Sequence, residues 1–183
     1  MKDPVLEYLK RLEFRDKAYK IRVSKKNALY RVKVLTSKGV QAGYIDFSID
    51  HGVMHIEWGQ TNVGYERKGI GTFLRAVATK AGSIAQANYG NQVGIFTNER
   101  SYTIGTPAST RILQRIPGWV LNRNYRSIFN YKTANITKVN AIIQKFAVTK
   151  RNLGGCCLRP RANENNILNR VIKRSVSTNR NNM

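Results

Sequence analysis

The sequence predicts a mixed α/β (α+β) domain over residues 1–132 and a basic Asn/Arg-rich extension over residues 133–183. Three observations carry this. A helix-start signal is followed by short runs of alternating apolar and polar residues. A sustained period near 3.6 then runs through residues 69–87. Finally, the composition shifts after about residue 132.

The elements follow in order. Asp3-Pro4 is a helix start, with an acceptor at the N-cap and Pro at the first helical position. Val5, Leu6, Leu9 and Leu12 follow at helical spacing and predict a short amphipathic helix over residues 4–15. Ile21 and Val23 alternate with charged residues as a strand, and Lys25–Asn27 breaks it. Leu29, Val32 and Val34 make a second strand, and Ser37-Lys38-Gly39 a turn. Gln41 to Ile49 is a third strand, Asp50-His51-Gly52 a hairpin turn, and Val53 to Trp58 a fourth strand. Ile70, Phe73, Leu74, Val77, Ala81, Ile84 and Ala85 mark the clearest helix. Asn88 to Gln92 reads as a turn, and Val93, Ile95 and Thr97 as a strand. Pro107 to Ile116 is a helix stopped by Pro117-Gly118. Trp119–Leu121 and Tyr125–Tyr131 are the last strands of the domain. Beyond them, Ile136, Val139, Ile142, Ile143 and Phe146 form one helical stripe over 136–149, suited to docking on this domain or on a partner. Residues 151–162 are loop-like, and only Ile167, Leu168, Val171 and Ile172 give the last segment a short apolar face.

Composition bounds the function. Across 183 residues, 32 Lys and Arg stand against 10 Asp and Glu, a formal net charge of +22. Such an excess repels itself and fits a protein that meets a polyanion. A hydrophobic fraction of 42% is enough for a core and argues against disorder along the whole length. The two cysteines, Cys156 and Cys157, are adjacent, which suits neither a disulfide scaffold nor a CxxC pair. The opening Met1-Lys2-Asp3-Pro4 predicts no secretory signal, and no apolar run is long enough to span a bilayer. Without a signal, the sequon Asn135-Ile136-Thr137 is discounted. His51 and His55 have no further His or Cys nearby, so no metal site is expected.

The segment Val53 to Ala78 carries the chemistry. A strand passes through a polar turn into Arg67-Lys68-Gly69-Ile70-Gly71, and the long helix opens there. The first amides of a helix lack internal partners, and the helix dipole favours an anion beside them. Gly69 and Gly71 remove Cβ atoms that would hold a phosphate away, and Arg67 and Lys68 add positive charge. The plainer reading of the glycines is a tight strand-to-helix turn.

This stretch resembles motif A of the GNAT superfamily of N-acetyltransferases, written (Q/R)-x-x-G-x-(G/A). Ile56-Glu57-Trp58 resembles the family's preceding strand, with Glu57 twelve residues before Gly69. Gly43-Tyr44-Ile45 is similar to an upstream strand of the family, and the passage from Thr106-Pro107-Ala108-Ser109 to Gly118-Trp119 resembles its helix-to-strand segment. The resemblance covers residues 4–132. It implies a mostly antiparallel central sheet flanked by helices, with a V-shaped splay between two parallel strands. It implies acetyl-CoA as cofactor, held by Trp58, Gly59, Gln60 and Thr61 and by Arg67, Lys68, Gly69, Ile70, Gly71 and Thr72. It also implies Glu57 as the base that deprotonates an amine of a protein or small molecule. Two positions depart from the family pattern. Glu66 stands where Gln or Arg is usual, and Gln114 stands at the position of a frequent catalytic tyrosine and cannot donate a proton as an acid.

The charge points to partners. Residues 133–183 hold ten Lys or Arg and one acid. The basic surface and this extension suit nucleic acid or another polyanion. The alternative to acetyl transfer is a noncatalytic structural component of a nucleoprotein particle, such as a phage or virus virion, with protein assembly partners. The expected location is cytoplasmic, or the virion for the alternative.

Overall fold

The computed structural model describes residues 2–50, 53–89, 96–97, 107–121, 127–129 and 136–150. Helix α1 spans Pro4–Lys10, followed by strands β1 (Leu12–Phe14), β2 (Tyr19–Lys26), β3 (Leu29–Thr36), β4 (Gln41–Asp50) and β5 (Val53–Thr61). Helix α2 (Ile70–Tyr89) leads to β6 (Phe96–Thr97), α3 (Pro107–Gln114), β7 (Trp119–Leu121), β8 (Ser127–Phe129), α4 (Ile136–Phe146) and β9 (Ala147–Thr149).

Seven strands form one sheet in the order β2-β3-β4-β5-β6-β8-β7, and β1 and β9 form a separate two-stranded sheet. The pairs are antiparallel except β5 with β6, which run parallel and are in register at His55 and Thr97. The architecture is therefore mixed α+β with a mostly antiparallel sheet.

Alternation builds the β2–β5 meander. On β3, Tyr30, Val32 and Val34 are buried and face the same side as Ile45 and Phe47 of β4 and Met54 and Ile56 of β5. Helix α2 lies on this side. Its residues Ile70, Phe73, Leu74, Ala76, Val77, Ala78, Ala81 and Ala85 are all buried. Each large side chain among them is worth roughly 1.5–3 kcal/mol of burial. The helix is hidden on most of its surface because α1, α3 and α4 also pack against it. Where β4 approaches α2, Gly43 leaves room for Ile70 and Leu74.

Helix α1 starts as the sequence predicts. Asp3 Oδ1 accepts from the amides of Val5 and Leu6 at 3.0 Å, and its Oδ2 accepts from Lys25 Nζ and Tyr30 OH at 2.7 Å. The helix stops at Lys10, earlier than the predicted residue 15, because Leu12–Phe14 pair with Ala147–Thr149. The same pairing shortens the predicted 136–149 helix, whose last three residues are strand. Tertiary pairing overrides helical spacing at both places. The two segments are further tied by Arg15 N donating to Phe146 O (2.7 Å) and Lys150 N to Arg11 O (2.8 Å). Residues 136–150, read from the sequence as extension, thus pack on α2 and pair with β1.

β5 runs to Thr61, past the predicted end at Trp58, and α2 runs through the predicted turn at Asn88 to Tyr89. The predicted turn at His51-Gly52, the start of the strand at Val93 and Ile95, and everything from residue 151 onward lie outside the described residues. No helix among the described residues is long and apolar enough to cross a membrane.

Candidate functional site

The site is the passage from β5 into α2. Asn62 pins its start to β4: the Asn62 amide donates to Ala42 O (2.9 Å) and its side-chain Nδ2 to Gln41 O (2.8 Å). A turn follows, in which Tyr65 N donates to Asn62 O at 3.0 Å. Glu66 folds back, and its Oε2 accepts from the Gly64 amide at 3.0 Å. The Lys68 ammonium stands 5.1 Å from the centre of the Tyr65 ring. Two left-handed residues then swing the chain into the helix, Arg67 at φ 60° and Gly69 at φ 79°. For a non-glycine residue such as Arg67 this conformation costs about 1–2 kcal/mol. Gly69 O accepts the first helical bond, from Phe73 N at 2.9 Å.

The next three amides, of Ile70, Gly71 and Thr72, have no acceptor among the described residues, and no acid sits in the first turn. That leaves positive dipole and unused donors at one point. Arg67 and Lys68 are exposed beside it. Beneath it lies Arg75, one turn into α2 and only 6% exposed. Its Nη1 donates to Gly71 O at 3.3 Å, and burial pulls its pKa down to about 10. A Cβ on Gly59 would lie 3.6 Å from Arg75 Nη2, so this guanidinium sits between β5 and the start of α2.

The glycines also have a packing reason that the sequence does not show. A Cβ added to Gly69 would fall 2.5 Å from Phe146 Cζ, and one added to Gly71 would fall 3.0 Å from Thr61 Oγ1 and 3.4 Å from Ile112 Cδ1. Protein side chains take the space both residues leave open, so close packing calls for them, and Gly69 also needs its positive φ. Phe146 belongs to an aromatic cluster with Phe14 and Phe73, with centroids 6.3 and 5.7 Å away. Beside it, a cavity of about 340 Å³ is walled by Phe14, Tyr19 and Phe146, with Arg15, Lys68 and Lys145 contributing positive charge and Asp16 negative.

Upstream, Phe47 pairs with Ile56 but Asp46 pairs with Trp58, so Glu57 is an extra residue in the register. This is a β-bulge, which bends the strand and re-aims side chains. Glu57 is half-buried, and Ser48 Oγ donates to its Oε1 at 2.5 Å. Along the second edge of β5 the described partner is β6, in register at His55 only. From Glu57 to Thr61 that edge has no strand beside it among the described residues.

Besides Glu57, the predicted site residues sort into three groups. Arg67, Lys68, Gly69, Ile70, Gly71 and Thr72 gather at the helix start, although the Ile70 side chain is core, 2% exposed, and only its amide faces outward chemistry. Gly59 and Thr61 lie on the α2 side of β5. Trp58 and Gln60 lie on the opposite side, where Trp58 is 57% exposed. Among the described residues no three His, Cys, Asp or Glu come together as metal ligands. Sequence reading missed Ser48, Arg75 and Phe146. The lone charge in the apolar run FLRAVA is the one available signal for Arg75.

No protein-family model matches this chain, and no curated protein matches it. Six chains of solved structures match. Among them is the crystal structure of nourseothricin acetyltransferase, 14% identical, with a TM-score of 0.35, the match covering 70% of this chain and 92% of that one. A likeness this distant carries no weight for function.

Proposed function

We propose that the protein transfers an acetyl group from acetyl-CoA to an amine of a protein or small molecule. The observation that supports this best is the alignment of three features along one path. These are the bulge at Glu57, the edge of β5 from Glu57 to Thr61 with no strand beside it among the described residues, and the amides of Ile70, Gly71 and Thr72 with no acceptor among the described residues. An acyl thioester carrying a pyrophosphate needs an extended edge for its arm and an anion seat at its end.

The residues fit that group. The amides of Ile70, Gly71 and Thr72, with Arg67 and Lys68 beside them and Arg75 behind, would hold the pyrophosphate. Backbone groups of Trp58, Gly59, Gln60 and Thr61 would align the acyl arm and polarise its carbonyl. The cofactor supplies a thioester carbonyl open to attack. Glu57, steadied by Ser48, takes the proton from the amine directly or through a water. Gln114 lacks an acidic proton, so it would not serve as the general acid for a thiolate leaving group.

Isothermal titration of the full chain with acetyl-CoA tests this. Saturable heat is expected. Thr72→Glu, which suits a helix start but sets an anion in the seat, weakens binding by roughly tenfold or more. Glu57→Gln keeps the binding and loses turnover. Absence of heat with the wild-type chain at high micromolar protein overturns the reading. The net charge of +22 favours a second one, in which the fold serves without turnover as a polyanion-associated component of a nucleoprotein particle.

A further inference from the structure

The register defines the sheet face turned away from α2. Three rungs cross four strands there: Arg22, Lys33, Tyr44 and Gln60; Ser24, Arg31, Asp46 and Trp58; Lys26, Leu29, Ser48 and His55. Lys20, Arg22 and Lys26 are exposed on β2, and Arg31 and Lys33 are half-exposed on β3. The sixteen residues of β2 and β3 hold six Lys or Arg and no acid. Lysines on an edge strand block unwanted pairing. That accounts for β2, but not for Arg31 and Lys33 one strand further in.

The acids of this face are accounted for. Asp46 is gripped by Arg31, whose Nε and Nη2 donate to its two oxygens at 2.6 and 2.5 Å. Glu57 is held by Ser48, and Asp50 sits at the far end of β4. The Arg31 guanidinium also lies 5.4 Å from the Tyr44 ring centre. Directly across from Asp46 stands Trp58, the exposed aromatic of the face. With strands about 4.8 Å apart, Trp58 is roughly 14 Å from the β2 row.

A row of cations with an exposed aromatic three strands across from its middle matches a flexible strand of phosphates carrying bases. A duplex keeps its bases stacked inside and leaves the tryptophan without a partner. A lipid surface calls for several apolar side chains to insert. Trp58 is the one large apolar residue of this face that is more than a third exposed among the described residues. We propose that this face binds single-stranded nucleic acid, with phosphates along Arg22, Lys26 and Lys33 and a base stacked on Trp58. The proposal is independent of acetyl transfer.

Fluorescence titration of the full chain with a fifteen-residue oligothymidylate, over a series of salt concentrations, tests it. Trp119 is buried, so quenching on binding reports Trp58. Expected are quenching that saturates and a salt slope near −0.7 per phosphate contact. Arg22→Glu/Lys33→Glu weakens binding by more than tenfold and flattens that slope by about 1.4. Trp58→Ala, followed by anisotropy of a labelled oligonucleotide, weakens binding by about tenfold with the slope unchanged. Lys10→Glu/Lys145→Glu, an equal change of charge on helices of the other side, has a far smaller effect. The proposal is overturned by equal losses in the two charge-reversed pairs or by saturable binding without quenching. Tighter binding to a duplex of the same length, or binding to phosphatidylserine vesicles but not to the oligonucleotide, overturns it as well.

Discussion

Helices α1 and α2 begin in opposite ways. At α1 a side chain closes the start: Asp3 accepts from two of its amides and is itself held by Lys25 and Tyr30. At α2 the residue in that position is Gly69, which has no side chain to offer, and Phe146 takes the space where one would stand. The first arrangement spends its donors on stability. The second leaves three donors without an acceptor among the described residues and adds Arg67, Lys68 and buried Arg75 around them. A helix start with no side chain to close it and with cations gathered around its amides is where an external anion is expected.

The sharpest way to break this contrast is to put a side chain at the open start. Gly69→Ala forces φ 79° on an L-residue and drives its Cβ against Phe146. A loss of about 2–4 kcal/mol in denaturant unfolding is expected, the sum of a left-handed penalty and overpacking. Adding Phe146→Ala separates the two causes. The steric part vanishes in the double variant, so a coupling of about 1–2 kcal/mol should appear in the double-mutant cycle. Strict additivity would mean that Phe146 does not press on Gly69.

The closed start responds less. Asp3→Ala is expected to cost about 0.5–2 kcal/mol, with acetyl-CoA titration heat unchanged because the α2 amides are untouched. An equal stability loss from Thr72→Glu would erase the distinction, since that change should leave stability within about 0.5 kcal/mol.

The smallest effect is one of pH. Partial burial works to raise the Asp3 pKa, but hydrogen bonds from Lys25, the Leu6 amide and Tyr30 outweigh it and hold the carboxyl below its ordinary value. A carboxyl depressed on folding stabilises the fold above its unfolded pKa, and that contribution fades as pH falls through the folded one. Lys25 is raised, chiefly by its bond to Asp3, so its share is lost only as pH climbs through its elevated value. Melting temperature in wild type should therefore drop between about pH 4 and pH 2 more steeply than in Asp3→Ala.

What the sequence disclosed follows the range of each interaction. The α2 stripe and the Asp3 cap are local patterns that a single segment carries, and both stand in the structure. Strands β1 and β9 are three residues each, too short to show a period of two, and each finds its partner more than 130 positions away. Leu12 falls on a helical spacing that simply continues the neighbouring helix, and residues 147–149 close the span of the 136–149 helical stripe. The bulge at Glu57 is a relation between two strands and cannot be written in one. Arg75 looks like any basic residue on a helix, because its burial depends on β5 lying against the start of α2. Phe146 was legible as apolar but not as the neighbour of a glycine 77 positions earlier.

That separation sets a clock on biosynthesis. Gly69 leaves the ribosome 77 residues before Phe146. At about 5–20 residues per second, the aromatic pair Phe14 and Phe73 waits roughly 4–15 s for its third ring. Through that interval the nascent chain carries an uncovered greasy notch beside the start of α2, the natural foothold for a chaperone. Stalled chains ending before residue 136 should stay protease-sensitive around residue 69, while chains long enough to free residue 150 should not.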